Sequence, residues 1–327
     1  MAGFLCSRRL MEWAGDDIRG SAAAAGLPLD PILLPADPEA RLGPGDLARV
    51  DFSFFSADVF PDYSRSFFAA TQGAPNLKWL HLMNAGTDAP VFARLLERGV
   101  RLTTSSGSTA RPIAQTAIAG MLMLARPFLA WGEAQRRHEW TPLGPPLPAD
   151  LETQTIVVFG LGAIGKEIAR LSLALGLHVV GVRRSPRQAG DPVHELVPPA
   201  ALHEVIRRAD WLALACPLTP ETRGAINAAV IAALPRGARL LNVARGEVVD
   251  QDAMIDALRS GHLGGAYLDV TTPEPLPPES PLWSLANVIV TPHNSAISAG
   301  NESRQLAIFC ENLARWARNE PLLNEVG

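Results

Sequence analysis

Only three cysteines occur in the 327 residues, Cys6, Cys216 and Cys310, too few and too scattered for a disulfide framework or a thiolate metal cluster. The expectation is a reducing, cytoplasmic setting and no metal centre. No stretch approaches the ~20 apolar residues of a membrane span, and the opening segment MAGFLCSRRLMEWAGDD lacks the sustained apolar run of a secretory signal. Charge is sparse, at 19% of residues, and the formal net charge of −4 argues against nucleic acid or a membrane surface as the main partner. Low-complexity tracts and internal repeats longer than one βα unit are also missing. What remains is a chain with 47% hydrophobic residues, long enough for two domains with substantial cores.

Strand and helix patterns alternate along it. Strands are expected at Val50 to Ser56, Trp79 to Met83 and Val100 to Thr104, with a helix from Pro90 to Arg98, so the first hundred residues read as a small α/β unit. From Pro112 to Leu129 the chain is apolar on nearly all sides and predicts one buried connecting helix; TPLGPPLPAD, from Thr141 to Asp150, reads as a surface loop. Further strands are expected at Trp211 to Ala215, Ala238 to Val243, Gly265 to Val270 and Val288 to Thr291. Helices are expected at Ala228 to Ala233, Asp252 to Ser260 and Ser303 to Arg318. Short connections between alternating strands and helices mean a parallel, doubly wound sheet.

The richest stretch, Thr155 to Ser185, reads TIVVFGLGAIGKEIARLSLALGLHVVGVRRS: an apolar strand, a GxGxxG turn, an amphipathic helix and a second apolar strand. Gly160 allows the sharp turn, Gly162 lets a pyrophosphate approach the backbone, and Gly165 lets the helix lie close to the sheet. Ala163 and Ile164 open that helix, whose free N–H groups and partial positive charge favour phosphate. Because the flanking strands and helix are all visible, the motif stands in the context it requires for dinucleotide binding. Arg183, followed by Arg184 and Ser185, occupies the place where an acid usually meets the ribose hydroxyls. Two guanidiniums and a hydroxyl suit a ribose 2′-phosphate, so NADP(H) is expected over NAD(H), with NAD(H) still compatible if the pair is only a basic surface.

Three more segments place ionisable residues at predicted strand ends: NVARGEVVD with Arg245, LDVTTPEPLP with Asp269 and Glu274, and TPHNSAIS with His293. Ligands of open parallel sheets bind outside the carboxyl ends of strands, so all three should face one cleft. The remaining histidines, His81, His138, His178, His194, His203 and His262, fall in no motif and are expected to be structural.

With these segments the chain resembles the D-isomer-specific 2-hydroxyacid dehydrogenase family. The likeness runs from about Asn84 to about Ser298, through AGTD, SSGSTARPIAQ, Gln135 and Trp140, GLGAIG, PLTPETRG, NVARG, DVTTPEP and TPH. It implies an NAD(P)-dependent oxidoreductase acting on a small 2-keto or D-2-hydroxy acid, of the glyoxylate or hydroxypyruvate type. It implies Arg245 as the substrate anchor, His293 as the acid/base and Glu274 as the carboxylate that orients it. Asp269 would receive the nicotinamide carboxamide, with Cys216, Pro217, Val243 and Ala244 along the cofactor. Asn84, Ala85 and Gly86, followed by Thr87, would form a nest of N–H groups for the substrate carboxylate. The architecture implied is a Rossmann dinucleotide domain over 106–293 and a smaller flavodoxin-like substrate domain over 1–105, completed by 294–327. A homodimer, with Trp140 reaching toward the partner, and domain closure that excludes water are implied as well.

Departures from the family pattern are Gln115, where glutamate is common, and Asn294 and Ser295, which make the wall after His293 more polar. The loop Ser56 to Asp62, expected to line the substrate pocket, carries no family motif. Formate or phosphite oxidation on the same scaffold is one alternative, though Glu274 argues against formate. A dinucleotide-sensing corepressor is another, since fold alone does not fix function.

Overall fold

The computed structural model describes every residue except Ala85, Asp88 and Gly327, so the part of the AGTD turn that falls on Ala85 and Asp88 lies outside the described residues. The chain divides into two compact units, Met1–Ser108 with Ser298–Gly327, and Thr109–Ile297.

The first unit opens with β1 (Ala2–Cys6), α1 (Arg8–Ala24), β2 (Leu29–Leu33), α2 (Pro44–Leu47), β3 (Val50–Phe55), α3 (Ser64–Gly73), β4 (Trp79–Leu82), α4 (Pro90–Glu97) and β5 (Arg101–Thr104). The second runs through α5 (Ala110–Ala125), α6 (Phe128–Arg136), β6 (Thr155–Phe159), α7 (Ala163–Ala174), β7 (His178–Val182), β8 (Glu195–Val197), α8 (Leu202–Val205), β9 (Trp211–Leu214), α9 (Ala228–Ala233), β10 (Ala238–Asn242), α10 (Gln251–Arg259), β11 (Leu263–Leu268) and β12 (Val288–Val290). Then α11 (Asn301–Ala317) and β13 (Glu325–Val326) return to complete the first.

In the first unit, parallel strands lie in the order β5-β4-β3-β1-β2, the flavodoxin-like arrangement, and β13 adds an antiparallel edge beside β5. Sequence reading placed no elements before Val50. The reasons are physical: α1 carries Gly15 and Gly20, which weaken a helical pattern, and β2 contains Pro31, tolerable because β2 is the sheet edge. Ser7 starts α1 by accepting the Leu10 N–H on its hydroxyl at 2.9 Å. The aromatic rings of Phe54 and Trp79 stack on Phe309 of α11, at centroid distances of 4.8 and 5.2 Å.

Beneath those rings runs a buried polar chain. Trp79 Nε1–H donates to Thr103 Oγ1 at 2.8 Å, and Thr103 lies 2.7 Å from His81 Nδ1. His81 Nε2 lies 3.0 Å from Ser105 Oγ, which itself donates to the Leu82 carbonyl at 2.9 Å. Ser105 has used its proton, so it accepts from His81 Nε2–H; Nδ1 is therefore the acceptor and the ring is neutral. The Ser105 N–H in turn reaches the Leu82 and Asn84 carbonyls at 2.9 and 3.2 Å, tying this chain to the turn after β4.

The second unit has the order β8-β7-β6-β9-β10-β11-β12, all parallel, which is the doubly wound Rossmann arrangement. The single helix expected from Pro112 to Leu129 is two: α5 ends at Ala125 and α6 starts at Phe128 after a 73° bend. Pro127 has no N–H to continue the ladder and drives Arg126 into an extended conformation (φ −119°, ψ 149°). α5 is a core helix; a Cβ on Gly120 would sit 2.6 Å from the Tyr267 ring. Among the described residues no single helix is long and apolar enough to cross a membrane.

Burial pushes the His81 pKa down to about 3, against an ordinary value near 6.5. The unfolded chain thus binds the proton first, and folding stability from this group is complete above pH ~6.5 and falls as pH drops toward 3. Each pH unit in that window costs about 1.4 kcal/mol. His81→Gln should therefore flatten the pH dependence of urea unfolding, by about 2–3 kcal/mol between pH 6.5 and 4.5. Parallel stability curves for the two proteins would show that His81 does not carry this linkage.

Candidate active site

Gly160 leaves β6 at φ +100°, and a Cβ there would lie 2.4 Å from the Cys216 backbone N. A Cβ on Gly165 would lie 1.9 Å from the Gly160 carbonyl, so the first turn of α7 is pressed onto the loop. Nothing lies within 4 Å of the same position on Gly162. The middle glycine thus faces open space at the N-terminus of a twelve-residue helix opened by Ala163 and Ile164, where a pyrophosphate fits. Cys216 is buried, and burial pushes its thiol up to about 11, so it is an uncharged wall residue beside Pro217 rather than a nucleophile.

Arg183, Arg184, Ser185 and Arg187 line a cavity of about 370 Å³ at the carboxyl end of β7. The Arg183 guanidinium is not free in it: Asp191 holds Nη1 at 3.2 Å and Nη2 at 2.7 Å. Arg184 is exposed and bonds Glu221 at 3.3 Å.

Three neighbouring strands bring the other chemistry together, since Arg245 follows β10, Asp269 and Glu274 follow β11, and His293 follows β12. Asn242 shapes the first loop, accepting the Ala244 N–H and donating to the Arg245 carbonyl, both at 3.0 Å. Val243 and Ala244 are buried, whereas Arg245 is exposed, with its Nη1 on the Ala244 carbonyl at 2.7 Å. Among the described residues no carboxylate pairs with Arg245, so its fork is available to an anion. Gly246 allows this loop to meet the next: a Cβ there would fall 2.1 Å from the Thr271 carbonyl oxygen.

Glu274 accepts the Thr271 N–H at 3.1 Å on one oxygen and lies 2.7 Å from His293 Nδ1 with the other. An ionised carboxylate only accepts, so Nδ1 carries the proton and Nε2 is the nitrogen left for a substrate. His293 adopts φ +53°, the left-handed region that a branched or bulky residue avoids. Its N–H is held by the Asp269 and Thr291 carbonyls at 2.9 and 3.0 Å.

The Asp269 carboxylate, expected at the nicotinamide carboxamide, is buried and occupied by its own surroundings. It accepts from Thr291 Oγ1 at 2.7 Å, from the Asn294 and Ser295 N–H groups at 3.1 Å, and from the Ser295 hydroxyl. Tyr267 Oη lies 3.0 Å from Thr291 Oγ1 and extends this network into the core. Asp269, Thr271, Glu274, Leu276, Trp283 and His293 border a cavity of about 390 Å³. Asn242 and Thr291 were not singled out for the site, although they open the NVARG and TPH motifs; Ser295, expected to make the wall after His293 more polar, is turned onto Asp269. Gln115 faces solvent on α5.

Asn84 and Gly86 lie in the first unit after β4, with Asn84 Nδ2 donating to the Gly86 carbonyl at 3.1 Å; Ala85 is outside the described residues. The loop from Ser56 contains a 3-10 turn at Ala57–Val59 and an exposed Phe60.

The family model described as D-isomer specific 2-hydroxyacid dehydrogenase, NAD binding domain, matches residues 118–295, and the chain belongs to that family. It is 31% identical over 255 residues to a glyoxylate reductase of Korarchaeum cryptofilum, covering 76% of each. It is 30% identical over 256 residues to the human glyoxylate reductase/hydroxypyruvate reductase, covering 77% of each. Among solved structures, a D-isomer specific 2-hydroxyacid dehydrogenase from Xanthobacter autotrophicus in complex with NADPH and MES superposes with a TM-score of 0.75 at 32% identity, covering 100% of this chain and 98% of that one. An NADPH-dependent glyoxylate/hydroxypyruvate reductase from Sinorhizobium meliloti in complex with NADP and sulfate gives 0.74 at 28% identity, with the same coverage. The protein is therefore an NAD(P)-dependent 2-hydroxyacid dehydrogenase with a nicotinamide dinucleotide as cofactor.

Proposed function

We propose that this chain reduces a small 2-keto acid of the glyoxylate or hydroxypyruvate type to its D-2-hydroxy acid with NADPH, in the cytoplasm. The observation that carries the reading is the His293–Glu274 pair at 2.7 Å, with Glu274 one strand from an arginine fork that has no carboxylate partner among the described residues. The names of the relatives above support the substrate type, and the free thiols of all three cysteines fit a reducing compartment.

When bound, the reduced nicotinamide supplies the hydride. Arg245 holds the substrate carboxylate through two parallel N–H bonds. His293, as imidazolium, gives its Nε2 proton to the carbonyl oxygen while the carbonyl carbon is reduced. The C=O π bond breaks, one C–H and one O–H bond form, and the neutral ring recovers its proton from solvent. Glu274 stays ionised throughout and keeps Nδ1–H in place.

His293→Gln should lower turnover by ~10²–10⁴-fold with cofactor affinity nearly unchanged. Arg245→Lys, which keeps the charge and loses the planar fork, should raise KM and lower kcat together. Steady-state kinetics on a panel of 2-keto acids checks both. A wild type inactive on every keto acid, yet binding cofactor, would point instead to a dinucleotide sensor or a phosphite-type reaction.

The preference for NADPH rests on Arg184, Ser185 and Arg187 at the cavity after β7, and on the NADPH and NADP held by the two structural relatives. A charge-assisted bond of about 1.5–3 kcal/mol corresponds to roughly one to two powers of ten in affinity. NADPH should bind at least tenfold tighter than NADH at low salt, and its affinity should fall more steeply as salt rises. Equal dissociation constants in parallel titrations would count against the preference.

We also propose a homodimer built on the segment from α6 into the loop after it, where Phe128 is 53%, Trp140 96% and Leu147 70% exposed. An apolar face of this kind is characteristic of an interaction surface, and Trp131, Gln135, His138 and Trp140 border a groove of about 550 Å³ within it. Light scattering should give twice the chain mass, and Trp140→Glu combined with Leu147→Glu should yield monomers. A wild type that is monomeric at micromolar concentration would exclude this arrangement.

A further inference from the structure

The loop that follows β7 is built around a buried carboxylate. Asp191 has a side-chain exposure of 0%, and it takes two cations: Arg183 at 2.7 Å and Lys166, from the first turn of α7, at 2.9 Å. It also accepts the Gln188 N–H at 2.7 Å, while Lys166 Nζ donates to Gln188 Oε1 at 3.1 Å. Hydrogen bonds from the Arg183 guanidinium, the Gln188 N–H and Lys166 hold the Asp191 carboxyl well below the usual carboxylate range. Arg183 has further bonds inside the loop, from Nε to the Ser185 carbonyl at 3.2 Å and from Nη2 to the Pro186 carbonyl at 2.5 Å. A guanidinium has five N–H donors, and the loop thereby occupies four of them. Only 13% of the Arg183 side chain is exposed.

Its neighbours are placed differently. Arg184 is 70% exposed, and its partner Glu221 is exposed to the same degree, a weak surface pair that a phosphate dianion displaces at little cost. Arg187 bonds the Val193 and His194 carbonyls at 2.7 and 3.3 Å, neutral acceptors that leave its charge uncompensated. Glu195, the acid on the adjoining strand, is paired with Arg208.

We propose that Asp191 is a positioning residue for cofactor recognition: it makes Arg183, at the ribose-selecting position, a brace of the loop and leaves the 2′-phosphate to Arg184 and Arg187. The proposal rests on the NADPH reading above. Withdrawing Arg183 toward a ligand would strand a buried carboxylate with Lys166 as its only cation, which opposes that movement.

Isothermal titration with 2′,5′-ADP and 5′-AMP, which differ by the 2′-phosphate alone, tests this without turnover. The wild type should bind 2′,5′-ADP more tightly. Arg184→Gln should reduce that ratio about tenfold or more and change 5′-AMP affinity less than threefold. Arg183→Met and Asp191→Asn should each weaken both probes by similar factors and keep the ratio within about threefold. Arg183→Lys, which leaves Asp191 a cation, replaces Arg183→Met if that variant does not fold. Arg183 variants that erase the ratio with 5′-AMP affinity intact would overturn the proposal, as would Asp191→Asn binding both probes like wild type. A wild type with no preference would instead overturn the NADPH reading and, with it, the role given to Arg184.

Discussion

The pose of His293 depends on the Asp269 carboxylate. The ring needs its Nδ1 at Glu274 and its Nε2 free, and a left-handed backbone delivers it there. That conformation is unfavourable for a histidine by about 1–3 kcal/mol, so the surroundings must impose it. Asp269 does so on both sides of the residue. Its side chain gathers Thr291 before the histidine and Asn294 and Ser295 after it, and its own carbonyl takes the His293 N–H. Four donors on one buried carboxylate leave the loop few other conformations.

Close backbone approach is the second constraint. Arg245 and Glu274 sit on loops from adjacent strands, and those loops touch at Gly246, where any side chain would strike the Thr271 carbonyl. The dinucleotide turn is made the same way: Gly160 is packed on Cys216 and Gly165 on Gly160, which leaves Gly162 as the open one. Site geometry in the second unit thus follows from which glycines are crowded and which is not.

The sequence was most legible where pattern and chemistry coincide. The alternation from β6 to β12, apart from β8 and α8, which went unplaced, the crowded and open glycines of GLGAIG, and the positions of Arg245, Glu274 and His293 at strand ends could all be read from residue order. Reading failed where the deciding interaction is long-range or local strain competes with periodicity. The 112–129 pattern looked continuous, yet Pro127 divides it, because apolar periodicity carries no information about a missing N–H. β1 and α1 went unplaced because their stability comes from packing on β3 and α11 rather than from propensity. Asp191 gave no signal: it lies in a polar loop eight residues from Arg183, and only folding shows that the two are paired.

Asp191 and Asp269 use the same device in different loops. Each is buried, and each binds the donors of its own chain so that a neighbouring group is left over. Around Asp269 the leftover group is the outward nitrogen of His293; around Asp191 it is the charge on Arg184 and Arg187. A charged side chain is available to a ligand only if no buried partner holds it, because burial makes such a partner costly to abandon. Residue type alone therefore ranks Arg183 and Arg184 as equals, while burial of the partner separates them. The same criterion applies to Arg245: its Nη1 bonds the neutral Ala244 carbonyl and no carboxylate among the described residues holds it, beside a histidine whose second nitrogen faces away from Glu274.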